Sequence, residues 1–247
     1  MLGLVEPGTL VVLIEPFYNS YRAEAILAGA KWTGVPLAAG DDGWRLDVAA
    51  LRDAVRDDTD DTTMIIINAP HNPTGTIFTR SELEAIADVA LDSGAFVLAD
   101  EGYERLLYDG HPHLSIADLD GMRDRCVIVS SAAKTFNVTG WKKGWVLGCP
   151  EVLSAVTTAK QFLGYVGVTH VQPAVARGLD ECGEWVDAMA AELASNRDLL
   201  VSGLRELGLE VHGAYGGYFV HASASQKRVK RGPRQPPHRE SAETTLH

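Results

Sequence analysis

FVLADEGYE, residues 96–104, is an apolar run that ends abruptly in polar side chains. The same pattern occurs in TMIIINAPHNPTG, residues 63–75, and in VIVSSAAK, residues 127–134. Short, nearly continuous apolar runs indicate strands that are buried on both faces of a parallel sheet. In such sheets, ligands bind beyond the carboxyl ends of the strands. The three polar clusters are therefore predicted to lie together at one edge of the sheet and to form the candidate site.

Helical stretches separate the apolar runs. Thr79 and Glu82 have the spacing of a capping box, Ser81 is a second candidate cap for the same helix, and Gly94 is placed to end it. Residues 185–207 carry apolar side chains at helical spacing and predict a long helix. Alternating strands and helices predict an α/β fold with a mostly parallel central sheet. The predicted strands are Leu10–Glu15, Thr63–Asn68, Phe96–Ala99, Val127–Ser130 and Trp145–Gly148.

The composition excludes several classes of protein. Hydrophobic residues make up 46% and charged residues 22% of the 247 positions, which is typical of a globular protein. No apolar run approaches the roughly 20 residues of a membrane span, and the formal net charge of −11 argues against nucleic-acid binding. Three widely separated cysteines, without metal-ligand spacing, favour a reducing, cytoplasmic location. The acidic stretch 57–61 lacks the pattern of a calcium loop, so we expect a solvated loop and no metal site.

The C-terminal segment 222–247 differs from the rest of the chain. It holds six Lys and Arg residues against two Glu, is rich in proline and serine, and shows no periodic aliphatic pattern. Such a segment buries too little apolar surface to offset its ordering entropy, so we predict that it is disordered. Its abrupt change of composition led to a further hypothesis, that it is translated in a changed reading frame. Sequencing the encoding DNA tests this hypothesis.

Lys134 closes one polar cluster, Asp100 opens the cluster after the neighbouring strand, and together they suggest covalent amine chemistry. A free lysine titrates near 10.4, but burial or a Schiff base with an aldehyde cofactor removes its charge. An aspartate directed at a heteroaromatic nitrogen keeps that nitrogen protonated. Taken singly, Asp100 also fits a strand-end cap, and Lys134 fits a solvated helix start.

Five motifs share an order and spacing that resemble one family. HNPTG (71–75), DEGYE (100–104), SAAKTF (131–136), TGWKKGW (139–145) and EPFYNSY (15–21) resemble the motifs of class I and II aminotransferases, especially the kynurenine and succinyldiaminopimelate branches. The resemblance covers about residues 1–221. It implies the pyridoxal-phosphate fold type I, a three-layer α/β sandwich with a mostly parallel central sheet and, here, a partial small C-terminal domain. The implied division is 1–183 for the cofactor-binding large domain, 184–221 for an interdomain helix and the start of the small domain, and 222–247 for the tail.

The resemblance also implies roles for individual residues. Lys134 would be the catalytic residue, forming the Schiff base with pyridoxal 5′-phosphate and moving the proton between the substrate Cα and the cofactor. Asp100 would pair with the pyridinium nitrogen. The other implied cofactor contacts are Asn72 and Tyr103 to the phenolic oxygen, Ser131 and Lys142 to the phosphate, and Tyr18 stacked on the ring.

Several alternatives stay open at this point. Tyr18 and Tyr21 also suit ordinary core aromatics, and Lys143 competes with its neighbour Lys142 for the phosphate. His71 is expected to be a supporting or solvent-facing residue rather than a catalytic one.

The implied activity is transfer of an amino group from an α-amino acid to a 2-oxo acid by a homodimer. A carbon–sulfur lyase on the same scaffold and a non-catalytic remnant are the alternatives, and an aminotransferase-like transcription regulator would need a DNA-binding domain. Family members have a phosphate-binding turn ahead of the region that matches residue 1, and a carboxylate-binding arginine beyond the strand near Val220. We therefore expect a chain shortened at both ends, with weak cofactor binding and poor turnover.

Overall fold

The computed structural model describes residues 1–40, 43–56 and 62–223. The acidic stretch 57–61 and residues 224–247 of the basic tail lie outside the described residues. Within the described part, the strands are β1 (Leu10–Glu15), β2 (Lys31–Gly40), β3 (Gly43–Leu46), β4 (Thr62–Asn68), β5 (Phe96–Asp100), β6 (Cys126–Ser131), β7 (Gly144–Leu147), β8 (Glu210–His212) and β9 (His221–Ser223). The first seven form one sheet in the order β3-β2-β1-β4-β5-β6-β7, and β8 pairs with β9.

The four central strands, β1, β4, β5 and β6, run parallel to one another, as the buried apolar runs predict. β7 pairs antiparallel with β6 at the edge of the sheet, so that the sheet is mostly parallel, as predicted. β2 is parallel to β1 but was missed, because Gly34 and Pro36 interrupt its apolar run. β3, also missed, is a four-residue antiparallel strand at the sheet edge.

Helices connect the strands and cover the sheet. Thr79 is the N-cap of the helix after β4, with both hydrogen bonds of the predicted capping box to Glu82, so Thr79 rather than Ser81 caps it. Gly94 ends the helix in the left-handed conformation, as predicted. The helices are α1 (Asn19–Leu27), α2 (Val48–Arg56), α3 (Arg80–Ser93), α4 (Ala132–Thr135), α5 (Pro150–Gly164), α6 (Gln172–Glu181) and α7 (Gly183–Glu206). No helix in the described part of the chain is long and apolar enough to cross a membrane.

The core lies on both faces of the sheet, because successive side chains of a strand point to opposite sides. On one face, Val12 of β1 belongs to a buried cluster with Leu83 of α3. On the other face, Val11 and Met64 form a second buried cluster with Ala25 of α1. The sheet is thus covered on both sides, and the predicted three-layer α/β fold is confirmed.

The segment that follows α7 packs back onto the turn after β4. Gly75 O accepts hydrogen bonds from Tyr215 N at 2.7 Å and from Gly216 N at 3.0 Å. Arg197 of α7 donates two hydrogen bonds to the Asp109 carboxylate, at 2.9 and 2.7 Å. The predicted disordered tail begins too early, because residues 222 and 223 belong to β9. The domain division at residue 183 stays a prediction.

Candidate active site

The ends of three neighbouring strands bring the polar clusters to one edge of the sheet. Asn68 at the end of β4 is in register with Asp100 at the end of β5, and Asp100 is in register with Val129 of β6. The turns that follow these residues carry the candidate side chains predicted from the sequence. The structure therefore places these turns side by side, as the strand order requires.

Asp100 is held at three points. Tyr21 donates its hydroxyl proton to Oδ2 at 2.6 Å, and Gly102 N donates to Oδ1 at 3.0 Å. Asn68 Nδ2 donates to the Asp100 main-chain oxygen at 2.7 Å. Both carboxylate oxygens have a donor, and their orientation is therefore defined by α1 on one side and by the following turn on the other.

Asn72 is linked to Asp100 through Asn68. The Asn72 main-chain nitrogen donates to Asn68 Oδ1 at 2.6 Å, while the amide nitrogen of the same Asn68 side chain reaches Asp100. One amide thus connects the turns that follow β4 and β5. Asn72 itself is half-buried.

His71, next to Asn72, is buried rather than solvent-facing. Its Nδ1 lies 2.8 Å from Thr74 Oγ1. Burial lowers the pKa of His71 to about 4, although a hydrogen bond with the Ile14 backbone acts in the opposite direction. The imidazole is therefore neutral at physiological pH and braces the turn that carries Asn72.

Lys134 lies in the short helix α4, directly after β6. Its Nζ is 5.8 Å from the centre of the Tyr103 ring, and its main-chain oxygen accepts a hydrogen bond from Tyr218 Oη at 3.3 Å. Tyr103 in turn packs edge-on against Tyr218 and Phe219, with ring centres 5.6 and 6.0 Å apart. Burial, reinforced by the negative charge of Asp100, raises the pKa of Tyr103 to about 12. Its hydroxyl therefore keeps its proton and remains a hydrogen-bond donor at neutral pH.

Ser131 and the two neighbouring lysines lie beside α4. Ser131 caps this helix, since its Oγ accepts from Ala133 N at 3.2 Å, and it also donates to Lys143 O at 3.4 Å. Lys142 is exposed and has a positive φ of 50°. The ammonium of Lys143 lies against Gly167, where a Cβ would come within 3.1 Å of its Nζ.

Tyr18 stands at the start of α1 and is 49% exposed. Its ring packs edge-on against Tyr21, with centres 5.7 Å apart. The interpretation of both tyrosines as core aromatics therefore fails for Tyr18, which is open to solvent, and holds only in part for the buried Tyr21, which also contacts Asp100.

The turn after β5 presents a second set of polar groups. Glu101 Oε2 lies 2.8 Å from His113 Nε2, while Ser115 donates to Glu101 Oε1 and Ser130 donates to Glu104 Oε1, both at 2.7 Å. Burial lowers the pKa of His113, but the hydrogen bond and charge of Glu101 outweigh it, so that the pKa lies above the ordinary value. Glu101, Glu104 and His113 each bring a potential metal ligand within 4.8 Å of the others. Since each of the three side chains has a protein partner, we interpret this group as a structural network.

The sequence analysis did not assign a role to Asn68 or to the hydroxyl of Tyr21. Asn68 carries a detectable signal, a polar residue that ends a buried apolar strand. Tyr21 carries none, because its contact with Asp100 joins residues 79 positions apart. Tyr218 and Phe219, which pack on Tyr103, were predicted only as part of a strand near Val220. That strand prediction is wrong, because Gly217 and Tyr218 form a turn and β9 begins at His221.

The comparisons with known proteins agree with this architecture. A probable N-succinyldiaminopimelate aminotransferase from Mycobacterium tuberculosis is 49% identical over 222 residues, which cover 90% of this chain and 55% of that protein. Mouse kynurenine–oxoglutarate transaminase 3 is 36% identical, with 90% of this chain and 52% of that protein covered. The chain thus spans about half the length of the curated relatives it matches.

Solved structures give the same result. N-succinyldiaminopimelate aminotransferase from Mycobacterium tuberculosis superposes with a TM-score of 0.86 at 49% identity, over 90% of this chain and 57% of that one. An aromatic aminotransferase from Pyrococcus horikoshii superposes with a TM-score of 0.83 at 35% identity, over 90% and 60%. The family model described as aminotransferase class I and II matches residues 1–232. The motifs, the arrangement of the sheet and these matches agree, and the chain belongs to the class I and II aminotransferase family.

Proposed function

We propose that this chain carries the cofactor-binding part of an aminotransferase, which uses pyridoxal 5′-phosphate to move an amino group from an α-amino acid to a 2-oxo acid. Members of the family use this cofactor. The observation that carries the proposal is the placement of Lys134 and Asp100 after adjacent strands, with the Tyr103 ring 5.8 Å from the lysine amine.

The side chains at this edge suit the chemical groups of the cofactor. An amine is available for its aldehyde and a carboxylate for its ring nitrogen. The protonated hydroxyl of Tyr103 and the amide of Asn72 are donors for its phenolic oxygen. A hydroxyl and a cation, from Ser131 and Lys142, suit its phosphate. The exposure of the Tyr18 ring is compatible with stacking on a planar ligand.

When bound, pyridoxal 5′-phosphate supplies an electron sink that stabilises negative charge at the substrate Cα. Lys134 would bind the aldehyde carbon and, once the substrate amine has displaced it, accept the Cα proton at Nζ. Asp100 would accept a hydrogen bond from the protonated ring nitrogen. Tyr103 and Asn72 would orient the cofactor, and Lys142 would hold its phosphate in preference to Lys143, whose ammonium lies against Gly167.

The names of the relatives suggest which substrates to assay first. The relative at 49% identity is named for N-succinyldiaminopimelate, and the one at 36% identity for kynurenine and oxoglutarate. We propose an N-succinylated diamino acid as the first donor and 2-oxoglutarate as the first acceptor.

Titration of the purified chain with pyridoxal 5′-phosphate tests the cofactor proposal. The cofactor absorbance should shift on binding, and borohydride should then fix the cofactor covalently to the peptide that contains Lys134. Lys134→Ala should abolish both signals, whereas Lys160→Ala, which removes a surface ammonium bonded to Tyr165 O, should change neither. Equal labelling of the unsubstituted chain and the Lys134→Ala variant would contradict the proposal.

Product analysis separates the aminotransferase from its alternatives. Transfer converts the donor into its 2-oxo acid and 2-oxoglutarate into glutamate, whereas a carbon–sulfur lyase releases pyruvate and ammonia from a cysteine conjugate. A non-catalytic remnant would bind the cofactor at Lys134 and give neither set of products.

We also propose a homodimer in the cytoplasm. Large apolar side chains are exposed around the C-terminal end of α5, with Phe162 86% and Tyr165 74% accessible, and such a patch is typical of a contact surface. The three cysteines are free thiols, which suits a reducing compartment. Light scattering at several protein concentrations tests the dimer, and a monomer mass throughout would contradict it.

A further inference from the structure

Tyr21 and Asp100 form a partly buried hydrogen bond that joins parts of the chain 79 positions apart. Tyr21 lies on α1, which follows β1, whereas Asp100 ends β5, and β4 separates these two strands. The hydroxyl reaches across the end of β4 and donates to Asp100 Oδ2 at 2.6 Å.

We infer that Tyr21 is a positioning residue, whose hydroxyl holds the Asp100 carboxylate in the orientation that receives the protonated ring nitrogen of pyridoxal 5′-phosphate. The inference rests on the proposed function, since Asp100 has this role only if the cofactor binds. It adds to that function a residue that does not touch the cofactor itself and acts on it through Asp100.

The surroundings of Asp100 explain why a second donor matters. Gly102 N holds Oδ1, and Asn68 holds the main-chain oxygen, so that neither contacts Oδ2 directly. Rotation about the Cβ–Cγ bond of an aspartate is soft, because this terminal torsion has broad minima. The Tyr21 hydroxyl supplies the missing restraint on the second oxygen.

The hydroxyl of Tyr21 is a dependable donor. Burial, together with the negative charge and hydrogen bond of Asp100, raises the pKa of Tyr21 far above its ordinary value. The group therefore stays protonated throughout the working pH range. Its ring also packs edge-on against Tyr18, three positions earlier. The start of α1 therefore positions both the ring that is proposed to stack on the cofactor and the hydroxyl that holds Asp100.

A comparison of two ligands in one variant tests this role. The chain and its Tyr21→Phe variant are titrated with pyridoxal 5′-phosphate and with 1-deazapyridoxal 5′-phosphate, in which a C–H group replaces the ring nitrogen. The substitution keeps the ring that packs on Tyr18 and removes only the hydroxyl. We expect the affinity for the natural cofactor to fall about tenfold, as is typical for loss of a hydrogen bond to a charged group. The affinity for the deaza analogue should be unchanged, because it offers no ring nitrogen to Asp100.

The ratio of the two affinities distinguishes positioning from a general structural role. If Tyr21→Phe partly unfolds the chain, both affinities fall by the same factor and the ratio is unchanged. Ser202→Ala, which removes an exposed hydroxyl of α7, is the control and should leave both affinities unchanged. An unchanged ratio in Tyr21→Phe overturns the inference while the proposed function stands. Failure of the unsubstituted chain to bind the cofactor at Lys134 overturns both.

Discussion

Ser130 Oγ donates a 2.7 Å hydrogen bond to Glu104 Oε1, and this bond joins the two turns that carry the candidate active site. Ser130 is the second-last residue of β6, four positions before Lys134, and Glu104 directly follows Tyr103. Asp100 accepts a hydrogen bond from Tyr21, and the Tyr103 ring lies near the Lys134 amine. Glu101 and Glu104 instead accept hydrogen bonds from the hydroxyls of Ser115 and Ser130. The site is therefore braced by residues that do not line it.

Ser130→Ala should lower the free energy of unfolding by about 1–3 kcal/mol, because it leaves a half-buried carboxylate without its donor. Urea unfolding of the unsubstituted chain and the variant measures this effect. Ser202→Ala, at an exposed position of α7, is the control and should change stability by less than about 0.5 kcal/mol.

A double-mutant cycle identifies the partner. When Glu104→Gln is already present, Ser130→Ala should cost measurably less, because the charged acceptor is gone. Strict additivity of the two substitutions would show that the hydrogen bond contributes nothing to stability.

The pair of His113 and Glu101 predicts a pH-dependent contribution to stability. Because Glu101 raises the pKa of His113 in the folded chain, the folded state holds this proton more tightly than the unfolded state. The contribution is complete below the unfolded-state pKa of about 6.5 and is lost as the pH rises through the higher folded-state value. We expect His113→Gln to cost about 1–2 kcal/mol at acidic pH and progressively less at alkaline pH. Unfolding measured from pH 5.5 to pH 8.5 tests this trend, and a difference that grew with pH would refute it.

His71 predicts a contribution of the opposite sign. Its pKa is lowered to about 4 in the folded chain, so that between about 6.5 and 4 the unfolded chain binds a proton that the folded chain does not. Stability should therefore fall with decreasing pH over this window, by about 3 kcal/mol in total. His71→Gln should be less stable at neutral pH but should lack this part of the acid-induced loss. Parallel slopes for the variant and the unsubstituted chain would exclude His71 as the source.

Local patterns were sufficient to predict the centre of the fold. The apolar runs that became β1, β4, β5 and β6 are buried or partly buried on both faces, so that hydrophobicity alone marks them. The capping box of Thr79 and Glu82 spans four residues and could be recognised without tertiary information. The carboxyl ends of parallel strands lie at the same edge of a sheet. The strand assignment alone was therefore enough to predict that Asn68 and Asp100 lie close together.

Contacts between distant segments could not be predicted in this way. β2 was missed because its apolar residues, Val35 and Leu37, alternate with exposed ones around Gly34 and Pro36. The role of Tyr21 depends on how α1 crosses the end of β4, and neither composition nor periodicity encodes that geometry. The burial of His71 likewise results from packing of the turn after β4 against β1.

Gly75 and Gly94 offer a matched pair for testing how the C-terminal segment docks on the site. Both have positive φ values, 71° and 77°, so that alanine strains the backbone at each position. A Cβ at Gly94 meets nothing within 4 Å, whereas a Cβ at Gly75 would lie 2.5 Å from Phe219 O. Gly94→Ala should therefore cost about 1–2 kcal/mol from strain alone, and Gly75→Ala about 1–3 kcal/mol more from overpacking.

The two variants should also differ at the site itself. Displacing Phe219 in Gly75→Ala removes one of the rings that pack on Tyr103, so we expect weaker binding of pyridoxal 5′-phosphate in this variant only. Cofactor titration under conditions where both variants are folded provides the measurement. Equal stability and equal cofactor affinity in the two variants would mean that Phe219 can move to accommodate the added Cβ at Gly75 without loss of stability. They would also mean that the segment 214–219 does not restrain Tyr103. A selective loss in Gly75→Ala would instead establish that packing of this segment onto the HNPTG turn supports the site, because backbone strain is common to both glycines.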